Sequence, residues 1–206
     1  MKYMNIIKFV LMAAFFLFCG TISAQKEENL EKYIDKMVAK TKSSNKSYRH
    51  ISVLGCNLGN PYWVFVQNLE KKGFKRIGPG GYEGELSGRD LVVLLNTCGK
   101  YILGVKLEFG CNRGEDCKNT YQSILDSLTK KYGKYTRKDR DILIWERADV
   151  LINLELEQYN WSYVSASSAV YIEYEDMIYK NWIKEGSKQI KEQELKQERN
   201  SFDANL

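Results

Sequence analysis

The sequence predicts an α+β fold: two tandem α-β-β-β units forming an antiparallel sheet with helices packed on one face, plus an N-terminal and a C-terminal helix. Two observations carry this expectation. The first is self-similarity. Asn68-Leu-Glu-Lys-Lys-Gly-Phe-Lys75 returns 59 positions later as Ser127-Leu-Thr-Lys-Lys-Tyr-Gly-Lys134. The same shift carries Asn60 to Asn119, Tyr62 to Tyr121, and Asp90-Leu-Val-Val-Leu-Leu95 to Asp149-Val-Leu-Ile-Asn-Leu154. The second is periodicity: after each helical pattern come segments in which apolar and polar residues alternate, the mark of strands with one buried face. A repeat of this kind describes architecture and leaves the chemistry open.

Residues 1–24 read as a secretory signal. Lys2 and Lys8 lie in or beside a basic start, Ile6 to Phe18 is apolar apart from Lys8, and Ile22-Ser23-Ala24 offers small residues for cleavage before Gln25. The apolar run is too short to span a bilayer, and no later segment is long and apolar enough to do so. Cys19 raises lipidation as an alternative, but Phe18 stands where a small residue normally precedes a lipid-modified cysteine. The expected location is periplasmic or extracellular. The chain from Gln25 onward has 182 residues and a formal charge of +3, from 29 basic and 26 acidic side chains. That near balance, with no basic stripe interleaved with aromatics, argues against nucleic acid as a partner.

Residues 25–50 hold a helix and a linker. Leu30, Tyr33, Ile34, Met37 and Val38 recur at helical spacing over Lys26 to Lys40, and Thr41 to Arg49 is polar. The repeat domain spans 51–176, with units at about 51–110 and 111–176. In the first, Ile51 to Leu54 is a short strand. Asn60 is placed to cap a helix that has Pro61 in its first turn and ends at Gly73. Gly78-Pro-Gly-Gly81 is a turn and not a phosphate loop, because no Gly-Lys-Ser/Thr follows. Strands are expected at about Tyr82–Leu86, Asp90–Thr97 and Tyr101–Phe109, with hairpin turns at Ser87-Gly88 and Cys98-Gly99-Lys100.

In the second unit Asn119 is placed as the cap, Ile124, Leu125 and Leu128 as the buried side, and Tyr132-Gly133 as the end. Strands follow at about Asp141–Arg147, Val150–Glu157 and Ser168–Tyr174. Val170, Ile172 and Tyr174 match Val105, Leu107 and Phe109 with a shift of 65, so the last hairpin carries six additional residues. Residues 177–206 continue as a charged helical tail, expected from Glu175 to about Arg199 and fraying beyond Gly186.

Four cysteines follow the signal: Cys56, Cys98, Cys111 and Cys117. An even count in an exported chain points to two disulfides, for which three pairings exist. Cys111 and Cys117 flank a turn-rich loop and are the easiest to close, which leaves Cys56 with Cys98. A metal site is disfavoured: no Cys-x-x-Cys occurs, and the only histidine, His50, lies in the linker.

A helix followed by antiparallel strands, twice over, resembles the tandem architecture of the β-lactamase-inhibitor-protein-like proteins. Gly55-Cys-Asn-Leu58, Glu70-Lys-Lys-Gly-Phe74 and Lys131-Tyr-Gly133 further resemble the opening turn and two helix ends of secreted Bacteroidetes proteins of uncharacterised function. The resemblance covers about Ile51 to Asp176. It implies the fold, and no catalytic residue or target comes with it.

The expected function is that of an exported, non-catalytic binding or inhibitor-like protein without a cofactor, recognising a protein or glycan through the outer sheet face and an aromatic hairpin. His50 reads as a solvated linker residue with no nucleophile elbow nearby. Glu108, Glu155 and Glu173 read as a solvated strand face, so a carboxylate-dependent hydrolase is the lesser reading. The strand phases place Trp145, Asn153, Glu155, Tyr171 and Glu173 on that outer face, with Val92, Leu94 and Lys106. Tyr159, Trp161 and Tyr163 stand among Asn and Ser in the inserted hairpin, a composition suited to recognition. The competing accounts are that the N-terminal helix covers the face, or that Trp161 folds back onto the sheet edge. An envelope-assembly protein acting through its terminal helices is the alternative function.

Overall fold

The computed structural model describes residues 24–43, 50–111, 115–158 and 168–203. The expected signal, most of the linker, and Tyr159, Trp161 and Tyr163 of the inserted hairpin lie outside the described residues. The chain divides into two compact units. One holds the terminal segments, through Arg49 and from Ile178 onward; the other runs from His50 to Met177.

The second unit is a single eight-stranded antiparallel sheet with two helices packed on it. In chain order it contains β1 (Ser52–Val53), β2 (Cys56–Asn57), α2 (Tyr62–Lys71), β3 (Lys75–Gly78), β4 (Gly81–Leu86), β5 (Arg89–Cys98) and β6 (Tyr101–Cys111). There follow α3 (Glu115–Tyr132), β7 (Arg137–Asp139), β8 (Ile142–Glu146), β9 (Val150–Gln158) and β10 (Ser168–Asp176). β1 and β2 pair with each other, and the main sheet runs β3-β4-β5-β6-β10-β9-β8-β7. Each repeat is therefore a four-stranded meander, and the two meanders join along β6 and β10. At this seam Leu107 pairs with Ile172, Val105 with Tyr174 and Phe109 with Val170. Leu107 and Ile172 are also the residues that the 65-residue shift equates. A pseudo-twofold axis thus passes through that pair.

The sequence missed β3 and β7, which make each unit α-β-β-β-β. Both are short edge strands rich in Lys and Arg with no buried residue, so neither shows alternation; charged edges of this kind discourage pairing with a further strand. The helix starts also differ from expectation. Pro61, not Asn60, occupies the N-cap position of α2, where no side chain caps the helix. α3 begins at Glu115, so Asn119 lies inside it. Glu115 and Asp116 fill its first turn, where carboxylates meet the positive end of the helix dipole. Gly73 and Gly133, at φ of 89° and 79°, take the left-handed conformation at the two helix ends.

One face of the sheet forms the core. Val93 and Leu95 of β5, Leu107 of β6, Ile152 and Leu154 of β9, and Val170 and Ile172 of β10 share a cluster with Phe65 and Leu69 of α2 and Leu128 of α3. Gly104 serves the seam: a Cβ there would stand 2.6 Å from the Tyr174 carbonyl oxygen, so only glycine lets the strands approach this closely.

The first unit contains α1 (Ala24–Ser43) and α4, the helix Met177–Asp203 that continues β10. Tyr33 donates its hydroxyl to Glu185 Oε2 at 3.4 Å, Lys26 Nζ lies 3.9 Å from Glu194, and the Tyr33 ring packs where a Cβ on Gly186 would stand. Rising numbers on α1 meet falling numbers on α4, so the helices are antiparallel. Gly186, read from sequence as the point where order fades, is a packing position, and α4 continues helical to Asp203.

Candidate functional site

The sheet face expected to be open is buried at its centre. Val92, Leu94, Ile144, Ala169 and Tyr171 are all buried. Tyr171 pairs with Glu108 on one side and Glu155 on the other, and Lys106 Nζ stands 4.3 Å from its ring centroid. Glu173 pairs with Lys106 and Asn153, and Asn153 Nδ2 donates to its carboxylate at 3.3 Å. Trp145 is on the opposite face. It pairs with Ile152, is wholly buried in the core, and donates its indole N–H to Gly133 O at 2.8 Å. Trp145 is therefore a packing residue, and Tyr171 does not lie on a bare surface.

Two other expectations are corrected. Cys111–Cys117 is a disulfide with Cα atoms 5.3 Å apart, whereas Cys56 and Cys98 are buried and form no disulfide. Burial raises the Cys56 thiol pKa, with Lys72 and Asn68 acting in the opposite direction. His50 is not a solvated linker residue. Its Nδ1 lies 2.7 Å from Oδ2 of Asp176, a wholly buried carboxylate at the end of β10, and its ring fills the space a side chain on Gly59 would need. The pair joins two ends of the sheet unit 126 residues apart. Buried carboxylates require such partners.

A cleft of about 490 Å³ opens on the core face, beside α3. Its floor is the seam: Leu107 and Phe109 from β6, Ile172 and Tyr174 from β10. One wall is a helical stripe of Thr120, Ser123, Ile124, Ser127, Leu128 and Lys131, spaced by threes and ones as a single face requires. The opposite wall is Ser52, Val53 and Leu54, and Leu86, Ser87 and Arg89 come from the β4–β5 turn. Side chains at the middle of the helical wall are smaller than their counterparts, with Ile124 where the first repeat has Phe65. In the first repeat the positions of Ser123 and Ser127 hold Val64 and Asn68. These smaller side chains leave the gap between α3 and the seam unfilled.

The lining is chemically mixed. Thr120 donates to Asp116 O at 2.7 Å and Ser127 to Ser123 O at 2.8 Å, so both hydroxyl protons are used within the helix and their lone pairs remain as acceptors. Burial pushes the Tyr174 phenol pKa well above the usual tyrosine range and keeps it a neutral donor. Arg89 and Lys131 are the two cations of the lining, which contains no carboxylate. Arg89 gives Nη1 to Asp116 at 2.8 Å, which fixes the guanidinium beside the start of α3. Against family models, curated proteins and solved structures, the chain matches none. Among the described residues no cluster of His, Cys, Asp or Glu could hold a metal ion, and no helix is long and apolar enough to cross a membrane.

The sequence did not single out this cleft. Its one local signal was Thr120, Ser123 and Ser127 interleaved with Ile124 and Leu128 on one side of the helix.

Proposed function

We propose that the protein is an exported, non-catalytic binding protein whose ligand enters the cleft between α3 and the β6–β10 seam. The observation that carries this reading is the cleft itself: its volume lies within the usual range for small-molecule sites, and its apolar floor meets a few polar groups along the walls. The Cys111–Cys117 disulfide supports an oxidising compartment. The aromatic hairpin remains part of the reading as a second recognition element, because Gln158 and Ser168, from which it departs, pair at the sheet end that also holds Cys111. Binding screens of the full chain against small molecules and glycans, with hydrolysis assays in parallel, test it. Ser127→Phe, which narrows the cleft, should remove binding without unfolding the protein, since Ser127 is exposed. Turnover of a bound glycan, or unchanged binding by Ser127→Phe, would sink the proposal. Trp161→Ala should weaken capture of a larger partner and leave the melting temperature unchanged.

A second reading rests on α4. Leu195 and Phe202 are exposed apolar residues on its distal half, and they suit a helix that docks on another envelope protein. Charged replacements at both positions should abolish co-purification with such a partner and leave cleft ligands bound. Retained co-purification would exclude this role.

A further inference from the structure

We infer that the ligand of the cleft is an amphipathic organic anion: an unbranched aliphatic body lying along α3 with its anionic head at Lys131. The inference rests on the reading of the cleft as a binding site and adds the chemical class. Shape is the first ground. The wall from Thr120 to Lys131 covers eleven helical steps, about 16 Å at 1.5 Å each, so the opening is elongated. Composition is the second. Val53, Leu107, Ile124, Leu128 and Ile172 give a largely aliphatic lining, which suits a hydrocarbon chain better than a polar ring.

Charge is the third ground and selects the head. The lining carries two cations and no carboxylate. Arg89 is already engaged by Asp116. Lys131 has no carboxylate partner among the described residues; its Nζ lies 4.9 Å from the ring centroid of Tyr132. An ammonium at the end of an apolar trough attracts an anionic head while the trough takes the chain. A carboxylate and a phosphate monoester satisfy the same chemistry, and the test separates them.

The experiment follows backbone amide shifts of the full-length protein during titration with decanoate, decyl phosphate, 1-decanol and decyltrimethylammonium. Decanoate, decyl phosphate or both should shift amides of Thr120 to Lys131 and of Leu107, Phe109 and Ile172, and the stronger of the two identifies the head. 1-Decanol and decyltrimethylammonium should bind at least tenfold more weakly. Lys131→Met should weaken the anions about tenfold and leave 1-decanol unchanged, and Lys131→Arg should restore them. Equal binding of the neutral or cationic amphiphile at the same amides would overturn the anion assignment and leave the cleft as a binding site. If none of the four shifts those amides, the inference is overturned; binding of some other small molecule that Ser127→Phe abolishes would then show that the cleft itself still functions.

Discussion

The two repeats have the same strands in the same order but hold their helices differently. In the first, Tyr82 of β4 is fully buried and its hydroxyl lies 3.1 Å from that of Tyr62, the first residue of α2. In the second, Trp145 takes the matching place: Tyr82 pairs with Val93 as Trp145 pairs with Ile152, and Val93 and Ile152 are repeat equivalents. Trp145 holds the other end of its helix, donating to Gly133 O just past α3. Arg147 adds a second tie there through its Nη2, 2.6 Å from Tyr132 O, while the disulfide and Arg89–Asp116 tie the start of α3. α2 instead seats Phe65 and Leu69 fully in the core. A helix fastened at both ends does not need its middle to be filled with apolar side chains. That difference lets the second repeat have a cleft where the first has Val64 and Asn68.

Trp145→Ala should be the most damaging change. It leaves a large cavity and removes the tie to Gly133, and a loss of about 3–5 kcal/mol is expected in urea unfolding. A near-neutral result would mean that α3 is not held from the sheet. Opening the disulfide with Cys111→Ser and Cys117→Ser together should cost roughly 2–3 kcal/mol, chiefly by freeing the unfolded chain. Amide exchange should then quicken at the start of α3 and not in α2; uniform quickening would show that the helices are held alike.

Next comes His50→Ala, which belongs to neither helix. It removes a partner from buried Asp176 and should cost about 2 kcal/mol by thermal unfolding. The smallest effect at neutral pH is expected for Tyr82→Phe, about 1 kcal/mol, since only a hydroxyl contact is lost. At alkaline pH the same variant is informative. Burial, then the Tyr62 hydroxyl, raises the Tyr82 pKa. A phenol whose folded pKa lies above its unfolded value contributes stability that is fully present below about pH 10 and is lost as pH rises toward the folded pKa. Wild type should therefore lose stability above about pH 10, and Tyr82→Phe less steeply, as read by tyrosinate absorbance during unfolding. Parallel curves would place the sensitivity elsewhere, with Tyr174 as the next group to replace.

The α+β class and the inner strands were legible because β6, β9 and β10 alternate while β5 and β8 are short apolar runs bounded by turns, and the helices because Phe65 and Leu69 in one, and Ile124 and Leu128 in the other, recur at helical spacing. The edge strands were not, since Lys75-Arg76 and Arg137-Lys-Asp139 have no buried face to impose a period. Trp145 was placed on the wrong face because Ile142-Leu-Ile-Trp145 is apolar throughout, and a continuous run carries no phase until a hairpin register supplies one. His50 was hidden by its polar neighbours, and its partner is 126 residues away. The cleft was illegible for the same kind of reason: its helical stripe is local, but its floor exists only once β6 meets β10.

That meeting also shapes how the chain folds. In the main sheet every other pair of adjacent strands is consecutive in sequence, and β6 with β10 is the exception. The entropy of closing a long loop is thus concentrated at one seam, while each meander can assemble from short-range contacts. Seam substitutions such as Gly104→Ala should slow refolding as well as speed unfolding. A chain stalled before the seam closes would carry two open strand edges, one on each half, each shaped to receive the other. Linked copies could then exchange halves, and the pseudo-symmetry that builds the floor of the cleft would become a route to domain-swapped dimers.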